Sequence, residues 1–385
     1  MQALTANTIY TGYRELTKHA IIINDKGRID AVIPLDDLPK GIKVEKISPG
    51  LIAPGFIDLQ VNGAGGFMFS ELPTLKCISA IAEAQAKFGV TGFLPTLITG
   101  PLENMIRASG AVDKAINNIP GVLGIHYEGP FLNSNNAGIH EIKYIKEFNN
   151  DLASHLIPSK FGKTIVTLAP EVISDKQIEH LTSVGIIVAA GHTSANINEL
   201  SNAEKAGLRG VTHLYNAMSQ MTARSPGTVG AALANDNLWC SIIADGNHVH
   251  DAAFLTAVRA KPPGKLILIS DSMAPTGKSN MKIFTACGQT LFIKNGRCIT
   301  SKNKLAGSLS SLDSAVRYCV KKIGIPISEA LRMASTYPAK AIGEDNRRGL
   351  IKSGYIADLV VLDESLYPQN IWISGKKICS DKYLK

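Results

Sequence analysis

Cysteine pairs with redox or zinc-ribbon spacing are missing from this chain. Its six cysteines (Cys77, Cys240, Cys287, Cys298, Cys319 and Cys379) lie scattered, with no C-x-x-C motif. They are therefore expected as reduced thiols rather than as a disulfide framework. No apolar run approaches the ~20 residues needed to cross a bilayer. The opening stretch, MQALTANTIYTGYRELTKHA, has no apolar segment behind a basic one. No secretory signal is expected from it, and the cytoplasm is the expected compartment. A dense Lys/Arg stripe with interleaved aromatics is also lacking, although the net charge is +8. That argues against a nucleic-acid partner. It leaves the charge as a solvated basic surface or as an attraction for anionic substrates. No fixed-period repeat or low-complexity tract is present, and the 34 glycines and 18 prolines are spread along the chain, so no segment reads as disordered.

What the chain does have is an alternating architecture. Eight apolar, β-rich runs follow one another: residues 55–63, 92–99, 122–130, 164–171, 185–193, 210–218, 240–248 and 265–273. Helix-like stretches lie between several of them, at Leu75–Phe88, Leu102–Asn117, Asp175–Val184 and Ile197–Gly207. Continuous apolar strands alternating with amphipathic helices argue for a parallel sheet covered on both faces. Eight such units argue for an α/β fold of the (β/α)8, TIM-like barrel class, placed here at residues 54–348. The stretch 281–304 reads as a β-hairpin inserted after strand eight, turning at Asn295-Gly296. Short β-like pieces in residues 1–53 and again in 349–385 are expected to pair into one small β-sandwich domain built from both termini.

A barrel of this kind keeps its chemistry at the C-terminal ends of its strands. Gln60, Asn62, Glu128, His192, His213, His248 and Asp271 all fall at or near those ends. Glu128, His192 and His213 close strands three, five and six inside apolar runs, where an unpaired polar side chain is costly. Two imidazoles and a carboxylate make a catalytic zinc set with one position left open. Asp271 closes strand eight and is placed to take a proton from an attacking water and return it to a leaving amine. His126, two residues before Glu128 and on the same face, is expected one layer deeper in the barrel. His19, His155, His180 and His250 read as surface or structural residues. Arg224, in the loop after strand six, offers a fixed cation for a phosphate, with Asn216 and Ala217 nearby as hydrogen-bond donors.

The motifs PGFIDLQVNGAGG, HYEGPFLN, AGHTSA, THLYNAMSQMTARSPGTVGA, ADGNHVH, ISDSMAPTG and LAGSLSSLD resemble the amidohydrolase superfamily, and within it the N-acetylglucosamine-6-phosphate deacetylases. The resemblance runs nearly end to end. It implies one divalent metal ion per subunit, zinc, on Glu128, His192 and His213, with Asp271 as the acid/base. It implies that His140 contacts the reacting amide and that Ile139 lies beside it. Asn216, Ala217, Arg224, Asn247 and His248 become contacts to the sugar phosphate, and Leu305, Ala306 and Gly307 line the sugar or acetyl pocket. A homodimer, or a dimer of dimers, is the implied assembly, with one phosphate contact crossing between subunits. Most members of the superfamily carry His-x-His at the end of strand one for a second metal. Here Gln60 and Asn62 stand there, and neither amide is a strong zinc ligand. No lysine closes strand four, where the motif LAPE ends at Glu171. The expected reaction is hydrolysis of the acetamide of an N-acetylated amino-sugar 6-phosphate. The galactosamine epimer is an open alternative, and a cyclic-amide hydrolase or deaminase a more distant one.

Overall fold

The computed structural model describes residues 1–156 and 162–378. Cys379 lies outside the described residues; the five other cysteines are all buried and unpaired.

Eight parallel strands form the barrel in strict chain order: Phe56–Val61, Val90–Ile98, Gly124–Glu128, Lys163–Leu168, Ile187–Ala190, Gly210–Val211, Trp239–Ile243 and Leu266–Ile269. The seam between the last and the first is closed by a parallel bridge from Val61 to Ser272 and by the Asp271 N–H donating to the Gln60 carbonyl at 3.1 Å. Helices alternate with the strands as the sequence predicts, at Leu75–Ala86, Leu102–Asn118, Asp175–Ser183 and Ile197–Lys205. Their starts carry local signals. The Thr74 side chain accepts from Cys77 N, and Ser174/Gln177 and Asn196/Glu199 form capping boxes. The helices bury their apolar faces on the strands in one continuous core.

The sequence reading extends strand six to residue 218, but the strand ends at Val211. His213, Tyr215 and Ala217 all adopt positive φ (38°, 79° and 48°), which breaks the extended chain immediately after the ladder.

Residues from both ends of the chain meet in a second, eight-stranded sheet. The long strand Lys43–Pro54 pairs in parallel with Gln2–Tyr10 on one side and antiparallel with Leu359–Leu362 on the other. Period-two alternation serves two cores. Leu359, Val361 and Trp372 fill the small domain, while Val360, Leu362, Ile371 and Ile373 pack on the barrel. The chain passes from this sheet into the barrel at Gly55. A Cβ there would stand 2.1 Å from Thr91 Oγ1, so glycine is required by close approach.

The insertion after strand eight contains the expected hairpin turning at Asn295-Gly296, but has one strand more. Ile283–Ala286, Gln289–Lys294 and Arg297–Thr300 form an antiparallel meander. The extra turn is Cys287-Gly288, with φ of 51° and 65°, the two positive values that a tight hairpin turn requires. Cysteine is not among the residues that announce such a turn, so the sequence conceals it.

Candidate active site

The C-terminal ends of the strands are held in strained backbone. Of the eleven non-glycine residues with positive φ among the described residues, five lie here: His192, His213, Tyr215, Ala217 and Asp271. Such conformations cost roughly 1–3 kcal/mol each and cluster where a side chain must be aimed. They turn the chain away from the sheet so that three titratable side chains face inward.

Glu128, His192 and His213 converge over the centre of the barrel. His213 Nε2 stands 3.0 Å from Glu128 Oε1, His192 Nε2 stands 3.3 Å from the same oxygen, and the two Nε2 atoms are 3.1 Å apart. A proton can satisfy one of these contacts, whereas a divalent cation satisfies all three. Around a tetrahedral zinc with bonds of about 2.0–2.1 Å, neighbouring ligand atoms stand roughly 3.3 Å apart, so the set fits such an ion. His140 adjoins them, with Nε2 3.6 Å from Glu128 Oε2 and its ring centroid 4.4 Å from that of His192. Glu128, His140 and His192 also offer ligand atoms within 4.8 Å of one another. The two trios share Glu128 and His192. The one with His213 has the tighter and more even separations.

Burial pushes the Glu128 carboxyl up, but hydrogen bonds from His140, His192 and His213 outweigh it and hold it well below the usual carboxylate range. Burial, with His140 beside it, pushes His192 down to about 4, so its ring is neutral and able to bind a cation. Burial also lowers His213, yet hydrogen bonding and charge from Glu128 leave it raised.

The orientation of His192 is fixed from behind. Its Nδ1 lies 2.9 Å from the Asn136 carbonyl, which leaves Nε2 for the cluster. Glu171, at the end of strand four where a lysine is missing, grips the same turn. It accepts from Ser194 N at 2.6 Å, from the Thr193 hydroxyl, and from Asn133 Nδ2 at 2.8 Å. His126 lies one layer deeper, as its position two residues before Glu128 predicts. It is bonded to the Leu59 carbonyl and to Thr167, and burial lowers it to about 4.

Asp271 faces the cluster across the seam. It is buried, and burial together with the Glu128 charge pushes it up to about 6. Asn62 Nδ2 donates to its Oδ1 at 2.7 Å, and Gln60 Nε2 donates to Glu128 Oε1 at 2.8 Å. The two amides at the end of strand one are thus turned, N–H first, onto the two carboxylates. Their carbonyl oxygens are buried without a partner among the described residues.

A cavity of about 300 Å³ opens above this cluster. His140, Asn216, Ala217, His248, Leu305 and Ala306 line it, with Ile139 and Gly307. His248 donates from both ring nitrogens, to Asp245 Oδ2 at 2.7 Å and to the Ala306 carbonyl at 2.8 Å. Burial works against its protonation, but Asp245 prevails and the ring is raised toward the cationic form.

The sequence profile of the amidohydrolase family matches residues 51–379, and that of the NagA composite domain matches residues 1–48. The chain belongs to the amidohydrolase family. It is 38% identical to an N-acetylgalactosamine-6-phosphate deacetylase of Shewanella sp. (strain ANA-3), over 86% of this chain and 84% of the relative. It is 35% identical to an N-acetylglucosamine-6-phosphate deacetylase of Haemophilus influenzae, over 97% of this chain and 98% of the relative. The crystal structure of N-acetylglucosamine-6-phosphate deacetylase from Pasteurella multocida superposes with a TM-score of 0.94 at 33% identity. That alignment covers 98% of this chain and 99% of the other.

Two expected contacts lie outside the cavity of this amidohydrolase chain. Asn247 is exposed, and its Oδ1 accepts from Arg297 Nε at 2.8 Å, which draws the amide away toward the meander. Arg224 is exposed in the loop after strand six and does not line the cavity of its own chain. Sequence reasoning in turn missed Asn136, Met218, Met273 and Lys304, all of which line the cavity. Lys304 directly precedes the recognised LAG segment, which was the available signal.

Proposed function

We propose that this chain removes the acetyl group from N-acetyl-D-glucosamine 6-phosphate, giving acetate and D-glucosamine 6-phosphate. The carrying observation is the convergence of Glu128, His192 and His213 within 3.0–3.3 Å of one another, with Asp271 facing them across the barrel seam. The deacetylases to which the chain is similar along almost its whole length supply the substrate class.

On this reading Glu128, His192 and His213 hold one divalent ion, zinc by the chemistry of the donor set. Such an ion supplies Lewis acidity toward a water and an amide carbonyl. Asp271, whose carboxyl is raised toward neutrality, takes the proton of the attacking water and gives it to the departing amine. Asn62 holds Asp271 Oδ1 so that Oδ2 meets the water. His140 stands beside the reacting carbonyl and donates to the oxygen on which charge develops. His248, Asn216 and Ala217 receive the sugar phosphate. Arg224, exposed away from its own cavity, serves a second protomer in a homodimer, as the family's cross-subunit phosphate contact implies. Buried, unpaired cysteines support a cytoplasmic site of action. No helix among the described residues is long and apolar enough to cross a membrane.

A second reading, the same reaction on the galactosamine epimer, is favoured by the 38% identity to the Shewanella enzyme. Acetate release from both epimeric sugar 6-phosphates, beside their unphosphorylated forms, tests both readings. Faster release from the glucosamine epimer supports the first, and faster release from the galactosamine epimer replaces it with the second. No release from any of the four removes the function.

A further inference from the structure

The cavity must accept a phosphate carrying a charge of about −1.5 to −2 at neutral pH. Its floor already holds the carboxylates of Glu128 and Asp271. Among the residues that line it, Lys304 is the only lysine or arginine. Its main chain is pinned in a tight loop at the end of the meander: Lys304 N donates to Thr300 Oγ1 at 3.2 Å, and Thr300 N donates to the Lys304 carbonyl at 2.9 Å. From there the side chain crosses the mouth to the Gly138 carbonyl, 2.8 Å from Nζ. Gly138 lies two residues before His140, while Ala306, two residues after Lys304, accepts from His248. The ammonium is therefore strung between the two walls of the opening. It has three N–H donors, of which one is engaged among the described residues, on a neutral carbonyl.

We propose that Lys304 is a substrate-binding residue, whose ammonium engages the sugar phosphate as it enters and trades the Gly138 carbonyl for a phosphate oxygen. The exchange is favourable because a hydrogen bond to a charged acceptor is stronger than one to a neutral carbonyl. Lys304 would supply, from within one chain, the cation that Arg224 does not bring to its own cavity. This inference rests on the deacetylase reading above.

The test is acetate release by the parent, Lys304→Met and Lys304→Arg, each with N-acetylglucosamine 6-phosphate and with N-acetylglucosamine. Inorganic phosphate as a competitive inhibitor is the second measurement. The residue is exposed, so its replacement leaves the core intact. With Lys304→Met, kcat/KM on the phosphorylated sugar should fall roughly ten- to hundredfold, mostly through KM, the range for losing a hydrogen bond to a charged group. Activity on the unphosphorylated sugar should stay within about twofold, and phosphate should inhibit more weakly. Lys304→Arg should recover most of the loss. Equal loss on both sugars would mean that the side chain merely steadies the Gly138 segment, and would overturn the proposal. So would an unchanged inhibition constant for phosphate. A parent enzyme indifferent to the phosphate would sink the deacetylase reading itself, and is recognisable without any variant.

Discussion

The side-chain amide of Asn62 donates to Asp271 Oδ1 at 2.7 Å across the seam where the barrel closes. The bond joins the end of the first strand to the end of the last, and it engages one carboxylate oxygen of Asp271. The carboxyl is raised while that of Glu128, across the site, is held down. On the proposed reading, two carboxyls pushed apart in this way divide the labour: one holds a cation and the other moves a proton.

Asp271→Asn separates those roles. The variant should bind metal as the parent does and lose about 10²–10⁴-fold in kcat, the usual range for a general acid/base. Turnover measured beside metal content checks this. Activity within severalfold of the parent at equal metal content would refute the assignment.

Gln60 and Asn62 point N–H donors at the two carboxylates, where a second cation would need acceptors. Metal analysis of protein purified without added metal should therefore give about one divalent ion per chain, with activity lost on chelation and restored by zinc. Two tightly held ions per chain would contradict this.

Glu171 steadies the turn that carries His192 through Ser194 N and the Thr193 hydroxyl. Replacing it with alanine should weaken metal affinity by about 10–100-fold, as outer partners of metal ligands commonly do. Saturating metal should restore most of kcat. A metal titration followed by calorimetry reads the first effect. An unaltered dissociation constant would confine Glu171 to a purely architectural part.

Asp58 is fully buried beneath the site, accepting from Gln60 N and Ser270 N with Oδ1 while Oδ2 has no hydrogen-bond partner among the described residues. Burial pushes its carboxyl up to about 7. In the unfolded chain it titrates near 3.9. Between these values the unfolded state has released a proton that the native state keeps, so the group's contribution to stability falls as pH rises from about 4 to about 7. Above that both states are ionised and the contribution levels off. Asp58→Asn should therefore gain stability over the parent on moving from about pH 5 to about pH 8, on the order of 2 kcal/mol. Urea unfolding of both proteins at the two pH values measures it. A parent–variant difference independent of pH would show that the buried carboxyl never titrates in that window.

Much of this candidate site is legible in the chain itself, because a parallel barrel places strand ends at one mouth and each proposed ligand closes an apolar run. Glu128, His192, His213 and Asp271 needed no more than that rule. The short sixth strand was not legible, since the positive φ at His213, Tyr215 and Ala217 follows from tertiary demands that no propensity encodes. Lys304 was hidden for a related reason. A lysine in a polar loop looks like any solvated charge until the fold draws the meander over the cavity and ties its Nζ to Gly138. Arg224 had the right chemistry beside the right strand, but one chain's backbone turns it outward.

The strand Lys43–Pro54 has a bearing on biosynthesis. One of its edges is satisfied at once by Gln2–Tyr10, but the other waits for Leu359–Leu362, made only after every barrel strand. Until the ribosome delivers that segment, a row of unpaired amides and carbonyls stays bare, the kind of edge that recruits strands from other chains. A polypeptide stopped after the barrel but short of Leu359 carries Glu128, His192, His213 and Asp271 on a molecule prone to stick to its neighbours. The segment Leu359–Leu362 thus acts as a seal on the folded enzyme.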